Sequence, residues 1–164
     1  DLPIGVDPAG ADGWIWQDVL AHGASVGAPP DRYSADGQNW GIPPFVPHRL
    51  REAGYEPFAR TLRACLRHAR GLRIDHVMGL FRLFWIPPGK QAADGAYVYY
   101  PADDLLAITA LESQRDAVHG VAEDHPSDGD HVVRPYHGEA WMIAPVTTKV
   151  TTKPVTSIEP KELT

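Results

Sequence analysis

The strongest constraint on this chain is an alternation of short apolar runs with amphipathic helical stretches. Leu2-Pro3-Ile4-Gly5-Val6 is a short apolar run ending at Asp7 and reads as a strand. Ala11 to Ala21 reads as a helix that buries Trp14, Ile15 and Val19. Pro57 opens the clearest helix: Phe58, Leu62, Cys65, Leu66 and Ala69 share one face, Arg60, Arg63, Arg67 and Arg70 fill the rest, and Gly71 supplies a stop. Leu72 to Val77 reads as a strand. A second helix runs from about Asp103 to Asp116, with Asp103 and Asp104 at its N-terminus and Leu105, Ile108 and Leu111 as its apolar positions. Val118 to Ala122 is the next apolar run, ending at Glu123. Helix and strand in this rhythm predict an α/β fold with a parallel sheet of βα units.

Two segments break the rhythm. Gly23 to Pro47 is rich in proline and glycine and reads as one long ordered loop, pinned by Tyr33, Trp40 and Phe45. Pro145 to Thr164 is a Thr/Lys/Val/Pro tract without helical periodicity, which reads as an extended, linker-like tail. A boundary is expected between Asp124 and Pro145.

Charge and cysteine content narrow the function classes. The formal net charge is -6, which argues against binding nucleic acid through bulk positive charge. The single cysteine, Cys65, excludes an intrachain disulfide framework and a multi-cysteine zinc site. No stretch approaches the roughly 18 consecutive apolar residues of a membrane span, and no membrane partner is expected. The chain begins at Asp1 without a leader pattern and reads as processed or as cut from something longer. No phosphate-binding glycine loop or dinucleotide fingerprint is found. His125, Asp128, Asp130, His131 and His137 read as a solvated polar loop in preference to a metal site.

The chemistry concentrates at strand ends. A strand with Arg73, Asp75 and His76 is costly to bury unless its charges pair. Arg73 and Asp75 are two apart, so they project from one face and can pair, which keeps the carboxylate ionised. Glu123 stands at the end of the following strand. Adjacent parallel strands lie about 4.8 Å apart. Carboxyl groups at their ends would approach the roughly 5–5.5 Å separation of a retaining glycosidase, with Asp75 as nucleophile and Glu123 as acid/base. The competing reading is a structural Arg73–Asp75 ion pair and an ordinary exposed Glu123. In the long loop Asp31, Tyr33, Gln38, Asn39 and Trp40 combine aromatic faces with hydroxyl-pairing groups, a mixture suited to sugars. Tyr33 and Trp40 serve equally well to pin the loop to the core.

Residues 1 to about 124 resemble part of the catalytic domain of the bacterial 4-α-glucanotransferases, the amylomaltases of glycoside hydrolase family 77. The resemblance rests on Asp1-Leu2-Pro3-Ile4-Gly5-Val6, Gly27-Ala28-Pro29-Pro30-Asp31, Gly37-Gln38-Asn39-Trp40-Gly41 and Leu72-Arg73-Ile74-Asp75-His76-Val77-Met78-Gly79-Leu80. It continues through Gly95-Ala96-Tyr97-Val98 and Ala110-Leu111-Glu112-Ser113. It implies part of a (β/α)8 barrel, about three strands where a whole barrel takes about 250 residues. It also implies cleavage of an α-1,4-glucan through a covalent intermediate. The glucan then passes to the 4-hydroxyl of a maltooligosaccharide or glucose. The implied nucleophile is Asp75, supported by Arg73. His76 would face the sugar, and the loop with Tyr33 and Trp40 would act as a lid that excludes water. Val121-Ala122-Glu123-Asp124 matches the first half of the acid/base motif. The implied enzyme needs no organic cofactor or metal and is cytoplasmic.

The chain departs from the pattern in three places. After Asp124 it reads His125-Pro126-Ser127-Asp128 where the family continues Leu-Gly, so residues 125–164 read as a non-family tail. The third catalytic aspartate of the family has no counterpart. Ala9 stands where a sugar-binding aspartate is usual, with Asp7 and Asp12 nearby. A hydrolase of the same clan is the alternative chemistry. For the 164 residues alone, the expected behaviour is a fragment without turnover that at most binds glucan through Tyr33 and Trp40.

Overall fold

The computed structural model describes residues 1–69, 71–115, 119–122, 131–135 and 141–145, the last three stretches as backbone. Their elements are α1 (Ala11–Ile15), β1 (Ser25–Ala28), β2 (Gln38–Ile42), α2 (Pro47–Glu52), α3 (Glu56–Leu66), β3 (Gly71–Ile74), β4 (Arg82–Ile86), β5 (Ala96–Tyr99), α4 (Ala102–Arg115), β6 (His119–Ala122), β7 (His131–Pro135) and β8 (Trp141–Pro145).

The parallel part of the fold is built around β3. On one side Leu2 donates to the Arg73 carbonyl at 2.7 Å and accepts from the Asp75 amide at 3.3 Å. On the other, β3 pairs in parallel with β6, from Gly71 opposite His119 to Ile74 opposite Ala122. The run Leu2–Val6 does not form the expected strand: only Leu2 joins β3, through one isolated parallel bridge to Ile74, while β3 and β6 pair side by side as the rhythm predicts. Leu72 and Ile74 are buried while Gly71 and Arg73 face outward. That alternation removes the cost of a charged strand: the apolar side chains fill the core and the guanidinium stays wet. The core joins Leu2, Leu62, Leu66, Leu72, Ile74 and Leu105, with others from both helices.

The second sheet was not anticipated. It is antiparallel, in the order β2-β1-β4-β5. The stretch 23–47 is thus not one long loop: β1 and β2 form a two-stranded arm whose tip is 29–37. The two strands come so close that a Cβ at Gly27 would collide with the Gln38 carbonyl oxygen. Their register slips between Val26 and Gly27. Strands of four or five residues interrupted by glycine carry little periodicity of their own, and the pairing across the sheet defines them.

Several local expectations are corrected. α1 stops at Ile15. It turns buried Gly13 inward against the Asp7 and Pro8 carbonyls, which leaves Trp14 73% and Ile15 52% exposed, while Val19 does reach the core. α3 ends at Leu66, and Gly71 begins β3 instead of stopping the helix. Leu111 is 51% exposed, and the buried positions of α4 include Leu105, Thr109 and Glu112. Glu112 is tolerated there because Arg63 grips both of its oxygens, at 2.9 and 2.8 Å, and Arg115 adds a contact at 3.1 Å. β3 ends at Ile74, so Val77 belongs to a short 3-10 turn, Val77–Leu80. Within residues 125–164, expected to be a linker-like or extended tail, β7 and β8 pair antiparallel from His131 opposite Pro145 to Pro135 opposite Trp141. Glu123, most of the boundary stretch after Asp124, and residues 146–164 lie outside the described residues. So do His125, Asp128, Asp130 and His137, and of His131 only the backbone is described. Among the described residues no helix is long and apolar enough to cross a membrane.

Candidate active site

Asp75 is the first residue past β3. Its amide is held by Leu2, so its position follows from the parallel pairing and not from a free loop. Arg73 Nη2 donates to Asp75 Oδ1 at 3.2 Å. Arg73 Nε also lies 3.3 Å from Asp1 Oδ2. The Arg73 and Asp75 side chains are 41% and 45% exposed. A pair this open contributes little to stability. Its effect is to orient the carboxylate.

The chain then bends sharply. His76 has φ 51, the left-handed region that side chains other than glycine rarely adopt. Such strain at a strand end is characteristic of functional sites and persists only where the surroundings enforce it. Here the Gly79 amide donates to the His76 carbonyl at 2.8 Å. The His76 ring lies nearly perpendicular to Trp40, at 82° with centroids 5.5 Å apart.

Asp75 and His76 form part of the wall of a small apolar groove, partly open to solvent. Leu2, Ile4, Phe45 and Tyr100 line it as well. Tyr100 fixes the far wall by donating to the Phe45 carbonyl at 2.6 Å, and burial pushes its hydroxyl pKa well up. Tyr100 and Phe45 were not singled out for this role in the sequence. The only signal available was an aromatic just before the helix N-terminus, which does not reveal a partner 55 residues away.

The loop residues separate into two groups. Trp40 reaches His76, and its indole Nε1 donates to Gln38 Oε1 at 3.0 Å. Asn39, the intervening residue, accepts at Oδ1 from Ser25 Oγ at 2.6 Å and from the Gly41 amide at 3.0 Å. Asp31 and Tyr33 stand instead at the tip of the β1–β2 arm, outside the groove lining. Asp31 Oδ1 accepts from the Tyr33 and Ser34 amides, both at 2.7 Å, and so shapes the turn. Tyr33 is 75% exposed, with the Arg32 guanidinium 4.3 Å from its ring centroid. The structure therefore groups Asp75, Arg73, His76, Trp40 and Gln38 and holds Asp31 and Tyr33 apart on the arm. Glu123 follows Ala122, which pairs with Ile74, but is itself outside the described residues.

A model of the 4-alpha-glucanotransferases of glycoside hydrolase family 77 matches residues 1–134. The 4-alpha-glucanotransferase of Mycobacterium tuberculosis (strain H37Rv) is 51% identical over 124 residues, covering 76% of this chain and 17% of that protein. Among solved structures, amylomaltase from Corynebacterium glutamicum aligns with a TM-score of 0.71 and 46% identity over 75% of this chain and 18% of that one. Amylomaltase from Streptococcus agalactiae, in complex with acarbose, aligns with a TM-score of 0.64 and 25% identity over 74% of this chain and 26% of that one. The chain thus spans less than a fifth of the M. tuberculosis relative. With the family match running through the β1–β2 arm, the β3 strand end and the groove beside it, the chain belongs to the glycoside hydrolase family 77 4-alpha-glucanotransferases.

Proposed function

We propose that this chain is the nucleophile-bearing segment of a 4-alpha-glucanotransferase, formed by neighbouring strands of a (β/α)8 barrel. The carrying observation is the Arg73–Asp75 pair at the carboxyl end of β3, next to strained His76 and open to the groove. Asp75 attacks the anomeric carbon of an α-1,4-glucan, and the bond to the leaving glucan breaks. Glu123 gives its proton to the departing oxygen. The 4-hydroxyl of a maltooligosaccharide or glucose then returns a proton to Glu123 and attacks the same carbon, releasing Asp75. Retention follows from two displacements. The β3–β6 pairing supports the assignment of Glu123, because it follows the strand adjacent to Asp75. Acarbose in the S. agalactiae amylomaltase supports the same ligand class here. We assign residues 1–124 to the family's catalytic domain and 125–164 to a tail, while the family match itself runs ten residues further, to Arg134. A cytoplasmic setting fits the unpaired Cys65.

The small share of the M. tuberculosis relative that is spanned favours a second reading of the 164 residues taken alone: glucan binding without turnover. The first reading is tested by exchanging the matching segment of the M. tuberculosis enzyme for residues 1–124 and incubating the chimera with maltotriose; the second is tested by following maltotriose binding and consumption with the 164-residue chain itself. A ladder of longer maltodextrins supports the transferase. Glucose and maltose alone indicate hydrolysis.

A further inference from the structure

We propose that Gln38 is a positioning residue, which holds the Trp40 ring against His76 and so sets the imidazole beside Asp75. This rests on the reading of Asp75 as the nucleophile. Gln38 and Trp40 are two apart on β2 and so project from the same face of the strand. The Gln38 side-chain oxygen, Oε1, receives the Trp40 indole N–H at 3.0 Å. The Trp40 ring meets His76 nearly at right angles, and His76 is the strained residue directly after Asp75.

β2 needs such a tether. It is an edge strand, paired only with β1 among the described strands. Its pairing is irregular, with the register slip at Val26/Gly27. It also contains Gly41 at φ 71. Backbone pairing alone therefore leaves the indole free to rotate about its side-chain bonds, and the amide acceptor removes that freedom. Asn39, between the two, is committed to Ser25 and Gly41 and cannot substitute. On this account Gln38 acts through its side-chain oxygen and not by pairing its amide hydrogens with a sugar hydroxyl. That separates it from a simple sugar-contacting role.

The two roles part in two variants. Gln38→Leu removes the acceptor and the donors, while Gln38→Glu keeps an acceptor and removes the donors. The readout is nuclear magnetic resonance on the full 164-residue chain, following the Trp40 indole N–H and the His76 ring protons without ligand and with added maltotriose. The expected result is that Gln38→Leu moves the indole N–H upfield and releases the His76 ring protons from the Trp40 ring current. Gln38→Glu restores both signals towards their original positions. Unmoved His76 protons in Gln38→Leu overturn the proposal, and so does a Gln38→Glu spectrum that matches Gln38→Leu. The maltotriose arm reports on the nucleophile reading separately. If maltotriose leaves the Trp40 and His76 signals unmoved while the Leu/Glu contrast holds, the tether stands and the reading of this chain as a glucan binder falls.

Discussion

Arg63 on α3 holds Glu112 on α4 through two parallel hydrogen bonds, at 2.9 and 2.8 Å, with the carboxylate side chain only 3% exposed. This clamp joins the helix before β3 to the helix before β6, so it fixes the two strands whose ends carry Asp75 and precede Glu123. Removing one partner leaves the other charge poorly solvated. Arg63 is 43% exposed, so the expected cost falls below that of a fully buried pair. Arg63→Ala should destabilise the chain, and Glu112→Gln by less, because the freed guanidinium can reach water. Urea midpoints of the two variants check the order.

The same pair sets a pH dependence. The Arg63 hydrogen bonds hold the Glu112 carboxyl below its usual value, against a burial effect that raises it. In the intervening range the unfolded chain binds more protons than the folded one, so stability rises with pH. The contribution is present above the ordinary value of 4.5 and is lost as pH falls through the folded-state value. The stability gap between the original chain and Glu112→Gln should therefore narrow on acidification from pH 7 to pH 3, as read by urea titrations at each pH.

Gly27 is predicted to accept no side chain. A Cβ there would strike the Gln38 carbonyl and crowd the Ile86 side chain, so Gly27→Ala must push β1 and β2 apart. The expected cost is about 1–3 kcal/mol. The variant should also shift the Trp40 indole signal, because the residue displaced is the one that receives its hydrogen bond. Thermal unfolding and the indole resonance measure the two effects.

Trp14 and Val19 offer a contrast within one segment. Trp14 is 73% exposed and Val19 only 7%. Trp14→Ala should change stability by no more than about 0.5 kcal/mol. Val19→Ala empties core volume and should cost roughly 1–3 kcal/mol. Equal effects would restore the reading of Trp14 as buried.

The residues that were legible in the sequence are those whose pattern is local. The Phe58–Leu66 face and the Leu72-Arg73-Ile74-Asp75 alternation repeat within a few residues, so α3, β3 and the Arg73–Asp75 pair could be read directly. Trp14, Ile15 and Leu111 misled because hydrophobicity alone does not reveal orientation: Gly13 approaches backbone carbonyls, and Arg63 makes a buried Glu112 tolerable. The antiparallel sheet was hidden for a different reason. β1, β2, β4 and β5 have only four or five residues each, and their identity comes from partners distant in sequence. The link from Gln38 through Trp40 to His76 depends on that sheet and was therefore illegible as well.

The central claim is that Asp75, oriented by Arg73, is the nucleophile of a glucan transfer. The most direct measurement is product analysis from maltotriose by the M. tuberculosis chimera carrying residues 1–124, with and without Asp75→Asn. The account predicts a maltodextrin ladder from the chimera and a loss of at least about a thousandfold in rate from Asp75→Asn, since no covalent intermediate can form. A ladder that persists in Asp75→Asn at a similar rate would contradict it.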